Sequence, residues 1–204
     1  RLRLSVVSTA KYFTPRLLGD FCRMHPDVEI SLEVLNRDGV VQRLRDNVDD
    51  LYIMSKPPVD IDAVIHAFLP NPLVLIAPVG HALAGRTNVV LADLHAERFV
   101  LREKGSGTRL TTDAHFAKHH FVPRLRLEMG SNEALKQAVA GGLGLSVVSQ
   151  HALGPDLAGQ GLTVLGVEGF PVESNWYTVH LRGKRLSPLA TAFMQYLDHF
   201  AAKA

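Results

Sequence analysis

The chain has 204 residues, 47% of them apolar and 21% charged, with a net charge of +2. That length suffices for one large domain or two small ones around a substantial core, and the composition is that of a globular chain. The near-neutral charge excludes the strong basic stripe of a domain that grips DNA directly. Arg182, Lys184 and Arg185 cluster, as do Arg124 and Arg126, but no aromatics interleave with them and both groups read as solvated faces. Cys22 is the single cysteine, so no internal disulfide can form and a reducing compartment fits. Lying in an apolar helical pattern, it is expected as a small buried hydrophobe. No apolar run nears the ~18 residues of a membrane span, and the alternating start is too short for a signal peptide. The first residues run directly into a strand without an initiator methionine, which gives the expectation of a fragment of a longer polypeptide.

Strand and helix patterns alternate throughout. Residues 2–7 read as a strand, and Phe13, Leu17, Leu18 and Phe21 then recur at helical spacing, with Pro15 tolerable in the first turns. Val28, Ile30, Leu32 and Val34 alternate as a strand with one buried face, 36–39 reads as a turn, and Val40, Val41 and Leu44 mark a short helix. Residues 51–54, 63–69 and 73–77 are the next strands. A second round follows: strand 99–101, then helix 108–119 with Leu110, Ala114 and Ala117 on one side. Strand 125–129 and helix 132–140 come next, the helix capped by Ser131 and stopped at Gly141-Gly142. Strand 145–148, a short helix 151–157, strands 162–167 and 176–181, and a helix 188–201 with Pro188 at its first position complete the chain. Two βαβαβ halves in succession predict an α/β fold of two Rossmann-like subdomains joined by two hinge crossings, near 73–78 and 171–177. The expected division is 1–73 with 174–204, and 74–173. Ligands of open α/β sheets bind beyond the carboxyl ends of the strands, so the cleft between the halves is the expected site.

Three strand-to-helix junctions stand out. Ser8, Thr9 and Lys11 follow the first strand, Glu103, Gly105, Ser106, Thr108 and Arg109 open the second half, and Ser131 and Asn132 follow its next strand. Helix N-termini carry unsatisfied N–H donors and a partial positive charge that suit a carboxylate or phosphate. Lys11, Lys104 and Arg109 add cations, with Arg37 after the second strand as another, so convergent donors with few acceptors predict an anionic small molecule. Each junction alone reads first as a simple cap, and Glu103 reads either as an acceptor for a ligand hydroxyl or as a surface carboxylate. Neither glycine of 105–107 leads a Walker-type loop, and a dinucleotide turn would need a glycine where Leu110 stands.

Catalytic signals are weak. Ser146 lies in GLSVV, which fails the nucleophile elbow at its last position, and the ten histidines form no H-E-x-x-H. His119 and His120, as sequence neighbours, cannot face one metal and read as a polar helix end. The expectation is therefore neither metal, cofactor nor catalysis.

The order Ser8-Thr9, Pro15-Arg16-Leu17-Leu18, Phe21 and His25-Pro26-Asp27-Val28-Glu29 resembles the opening of the effector-binding domain of LysR-type transcriptional regulators. So does Asn132-Glu133-Ala134 with Val139-Ala140-Gly141-Gly142-Leu143-Gly144. Within that family the stretches AKYFTPRLL (10–18), PNPLVLIAP (70–78), LREKGSGTR (101–109), GSNEALKQAV (130–139) and GKRLSP (183–188) are similar to regulators of Calvin-cycle carbon-fixation operons. The resemblance implies a type 2 periplasmic-binding-protein-like fold and a cytoplasmic homodimer or homotetramer without membrane contact. It also implies a winged helix-turn-helix domain upstream of Arg1 that contacts promoter DNA. The effectors it implies are phosphorylated sugars such as ribulose bisphosphate, phosphoenolpyruvate or NADPH, held by Ser8, Thr9, Lys11, Ser106, Thr108 and Arg109. Subunit pairing would use Phe13–Met24 and the helix after Thr108, and the mechanism would be allosteric. An extracytoplasmic solute-binding protein of the same fold is the alternative, and a small enzyme such as a dehydratase a third, lacking an evident acid or base.

Overall fold

Burial on both faces makes a central strand, and β1 (Leu2–Val7) is buried except at Arg3. In the computed structural model, which describes residues 1–203, a 3-10 turn Ser8–Tyr12 leads from β1 to α1 (Thr14–Met24). Then follow β2 (Ile30–Leu35), α2 (Arg37–Arg45), β3 (Leu51–Met54), β4 (Ala63–Pro70) and β5 (Leu73–Pro78). The second round is β6 (Arg98–Arg102), α3 (Gly107–Lys118), β7 (Arg124–Met129), α4 (Asn132–Ala140) and β8 (Ser146–Ser149). The chain closes with β9 (Leu162–Val164), β10 (Asn175–Leu181) and α5 (Pro188–Ala201). It divides into two units, Arg1–Pro70 with Asn175 onward, and Asn71–Ser174.

The sheet of the first unit has the order β2-β1-β3-β10-β4. Its first three strands are parallel, with Val7 opposite Leu35 and Val6 opposite Ile53, while β10 runs antiparallel to both neighbours. The core gathers Phe21, Tyr52, Trp176 and Phe193, and α5 contributes Ala190, Phe193 and Leu197 to it. The rings of Phe21 and Phe193 meet edge to face with centroids 5.2 Å apart.

In the second unit β6 and β7 are parallel, and β5 pairs antiparallel with β8 and β9. Leu145 joins the two sets, accepting from the Val100 amide at 2.8 Å and donating to the Arg98 carbonyl at 2.8 Å. That approach explains Gly144, where a Cβ would stand 2.6 Å from the Arg98 carbonyl oxygen. Strand alternation splits the core by face. Phe99, Leu101 and Val147 pack with Phe116 of α3, whereas Val100 and Val148 pack with Leu135 and Val139 of α4.

Several elements differ from the sequence expectation. Residues 36–39 are not a free turn: the Asn36 side chain accepts from the Gly39 amide at 3.0 Å and caps α2, so Arg37 opens a helix. The expected helix 151–157 is replaced by 3-10 turns at Gln150–Ala152 and Ala158–Gln160, and strand 162–167 shortens to Leu162–Val164. Cys22 is half-buried rather than enclosed. The units divide at 70/71 and 174/175, because the partners of β5 are β8 and β9 and keep the whole strand in the second unit. At these crossings the Asn71 amide donates to the Ser174 carbonyl at 2.8 Å, and Leu73 and Val172 exchange a pair of hydrogen bonds.

One polar clasp ties β1, α2 and β3. Buried Asp49 accepts from Ser5 Oγ at 2.6 Å and from Arg43 Nε and Nη2, each at 2.8 Å, while the Tyr52 hydroxyl donates to the Arg43 carbonyl at 2.9 Å. Burial pushes the Asp49 carboxyl up, but the hydrogen bonds from Arg43 and Ser5 outweigh it and hold the group below its ordinary range. A depressed folded-state pKa stabilises above the unfolded value of about 4 and ceases to do so as pH falls through the folded one. Asp49→Asn is expected to cost about 1–3 kcal/mol at pH 7 in chemical denaturation, with the gap to the parent narrowing as pH drops below about 4.

Candidate anion-binding site

Because β6 and β7 are parallel, the helices that follow them begin at the same edge of the sheet. Beyond Arg102 a tight turn, closed by the Ser106 amide on the Glu103 carbonyl at 3.1 Å, brings Ser106 to the N-cap of α3. Ser106 Oγ accepts from the Arg109 amide at 3.3 Å. Beyond Met129, Ser131 caps α4 by accepting from the Ala134 amide at 3.1 Å. The Glu103 amide donates to the Met129 carbonyl at 3.2 Å and stitches the two junctions together. Glu103, Gly105, Ser106, Thr108, Ser131 and Asn132 thus share one strand-end region, and Ser106, Thr108 and Asn132 are buried in it.

Two arginines serve the region from opposite faces. Arg109 lies on the α3 face with its side chain 8% exposed. Its Nη1 donates to the Arg102 carbonyl at 2.7 Å and to Glu128 at 2.8 Å, and its Nε to Asp113 at 2.9 Å. Burial lowers its pKa, but the bonds it donates to Glu128 and Asp113 outweigh that and raise it, so the charge is fixed and internally balanced. The sequence expectation makes Arg109 a cation for a ligand; in the structure its Nε and Nη1 cross-link α3 to β6 and β7.

Arg102 projects on the α4 face and is 2% exposed, with Nη1 on the Asn132 side chain at 3.0 Å. Glu103 covers its other edge side-on, accepting from Nε at 2.8 Å and Nη2 at 3.4 Å. Sequence reasoning passed over Arg102. The signal available was its place at the end of a strand whose other residues are apolar, since a charge buried there demands partners.

In the first unit the parallel strands β1 and β2 likewise end together. Ser8, Thr9 and Lys11 form the 3-10 turn after β1, with Thr9 buried and the Lys11 ammonium 5.4 Å from the centre of the Tyr12 ring. Arg37 opens α2 after β2, and its Nε donates to the Lys56 carbonyl at 2.7 Å. The guanidinium therefore also bridges to the segment after β3.

The model of the LysR substrate binding domain matches residues 1–201. The chain belongs to this family. The LysR domain is 46% identical over 203 residues to a RuBisCO operon transcriptional regulator of Acidithiobacillus ferrooxidans, covering all of this chain and 65% of that protein. It is 43% identical over 196 residues to the transcriptional activator CmpR of Synechocystis, covering 96% of this chain and 64% of the activator. The chain thus spans somewhat under two thirds of the length of these relatives. The regulatory domain of CcmR from Synechocystis PCC6803, solved in complex with 2-PG, superposes with a TM-score of 0.94 at 49% identity, over 98% of this chain and 97% of that one. The fold is accordingly mixed α/β of the type 2 periplasmic-binding-protein-like class, and the relatives are transcriptional regulators.

A separate opening in this LysR domain lies at the far end of α3. A cleft of about 420 Å³ is lined by Val90, Leu91, His119, Glu168 and Gly169, none of them a predicted site residue. His119 stands with its ring 4.5 Å from that of His115 one helical turn earlier, not beside His120 as a unit. Burial and the neighbouring His119 lower the His115 pKa and favour its neutral ring. Among the described residues, no group of three or more His, Cys, Asp or Glu side chains is arranged to hold a metal ion, and no helix is long and apolar enough to cross a membrane.

The Arg109 bonds make a stability prediction. Arg109→Met strands the Arg102 carbonyl and Glu128, and is expected to lower unfolding free energy by about 2–4 kcal/mol in urea titration. Ser131→Ala, which removes only the α4 cap, should cost about 1 kcal/mol in the same assay.

Proposed function

We propose that this chain is the ligand-sensing part of a LysR-type DNA-binding regulator of carbon-fixation genes, and that its effector is an anionic, phosphorylated metabolite. The observation that carries the reading is the buried Arg102 guanidinium at the edge where the N-termini of α3 and α4 converge. A buried cation beside two sets of helix donors is complementary to a carboxylate or phosphate and to little else. The 2-PG held by the CcmR domain, at 49% identity, supports the same ligand class. Phosphorylated sugars, phosphoenolpyruvate and NADPH share that chemistry and remain the candidates. Ser106, Thr108 and Ser131 are assigned as hydroxyl donors, as are Ser8 and Thr9 at the end of β1, where Lys11 is assigned as an ammonium donor.

In this reading the LysR domain binds and does not transform its ligand. An effector that prefers one conformation of the protein shifts the equilibrium by its differential affinity, about 1.4 kcal/mol for each factor of ten. A helix-turn-helix domain outside this chain would carry that shift to promoter DNA in the cytoplasm, within a homodimer or homotetramer. The subunit surfaces proposed are the outer faces of α1 and α3. On α3 the stripe Leu110, Ala114 and Ala117, read from periodicity as one side of the helix, lies off the buried side, which includes Thr108, Arg109, Thr112 and Phe116.

Calorimetry against 2-phosphoglycolate, phosphoenolpyruvate, ribulose bisphosphate, NADPH and inorganic phosphate tests the ligand class. Saturable binding of at least one organophosphate is expected, weakened roughly tenfold by Thr9→Val through loss of one hydroxyl. The absence of saturable binding across the panel would overturn the reading. Sedimentation at increasing concentration tests the assembly: a dimer or larger species is expected, and a monodisperse monomer at high concentration counts against it.

A further inference from the structure

A guanidinium buried without an anion is strongly destabilising. The chain itself supplies the anion. Glu103, the next residue, folds back and lies side-on along the Nε and Nη2 edge at 2.8 and 3.4 Å. The two side chains differ sharply in exposure. Arg102 leaves an ordered strand, is 2% exposed, is held by Asn132 on Nη1, and has its own carbonyl fixed by Arg109. Glu103 leaves a turn and its side chain is 29% exposed, so its carboxylate already borders solvent.

The edge that Glu103 covers is also the fork that best matches a carboxylate or phosphate. Two anions cannot share it, because like charges at such a distance repel strongly. Arg109, the other arginine at these strand ends, is already matched by Glu128 and Asp113.

We propose that Glu103 is a resident counter-ion that an incoming effector must exchange. The ligand-free domain keeps Arg102 balanced with its own carboxylate. An effector anion takes the Nε and Nη2 edge while Glu103 moves out to water, so the guanidinium is paired at every stage. This rests on the assignment of the Arg102 edge as the anion site. Exchange makes Glu103 a discriminator of charge. A monocarboxylate only replaces like with like, whereas a phosphate dianion brings more charge to the same fork and displaces Glu103 with net gain.

The test is calorimetry with 2-phosphoglycolate and with glycolate on the parent, Glu103→Gln, Glu103→Asp and Arg102→Lys. Removing the competing charge in Glu103→Gln is expected to tighten 2-phosphoglycolate about tenfold and to narrow its preference over glycolate. Glu103→Asp, whose shorter side chain loosens the side-on pair, moves affinity the same way by less, and serves if the neutral variant folds poorly. Arg102→Lys keeps the charge but loses the fork, and is expected to weaken binding by more than about tenfold. If Arg102→Lys weakens binding but neither Glu103 variant tightens it, the exchange is wrong and the anion site stands. If Arg102→Lys binds as the parent does, the site assignment itself fails.

Discussion

Parallel strand pairing is the constraint on which the rest of this structure depends. Two adjacent parallel strands end at one edge, so whatever follows them in sequence is delivered there together. β6 and β7 deliver the N-termini of α3 and α4, and β1 and β2 deliver the Ser8–Tyr12 turn and the start of α2. The same rule is satisfied by sequence segments that share no motif. It therefore produces strand-end donor sets in both units without any need for a recognisable phosphate loop.

Pleating then decides what each residue at that edge can do. Successive side chains on β6 point to opposite faces, so Leu101 joins the α3 layer and Arg102 the α4 layer. Arg109 reaches in from α3 on the first face, where Glu128 of β7 also lies, and becomes part of the scaffold. Arg102, on the second face, meets the side chain of Asn132 at the start of α4. Two cations seven positions apart thus divide into one that holds the strand ends and one that charges the edge between the helices.

The alternation of strands and helices was legible because it rests on local periodicity and on caps such as Ser106, Ser131 and Ser187, each of which accepts from an amide three residues on. The resemblance to a regulator family was legible for the same stretches. What escaped depended on contacts distant in sequence. Nothing near 176–181 says that β10 inserts between β3 and β4, and nothing near 150–160 says that its turns stay too short for an α-helix. Asn36 looked like a turn residue because asparagine favours turns and helix caps alike. Arg102 went unread because positive charge was read without its partners, and for Arg109 those partners lie on β7 and on the next turn of α3. Periodicity located the Leu110, Ala114 and Ala117 stripe as an apolar side of α3 without saying what covers it.

The placement of β10 has a consequence for how the protein comes into being. The second unit is one continuous stretch, Asn71–Ser174, whereas the first is interrupted by it. Until residues 175–181 exist, the sheet of the first unit lacks the strand that separates β3 from β4, and its core lacks Trp176, Phe193 and Leu197. During vectorial synthesis domains close as their sequences are completed. Here the unit that begins the chain is the last to finish: β1 to β4 emerge early and wait, while the unit encoded between them and β10 has every strand it needs.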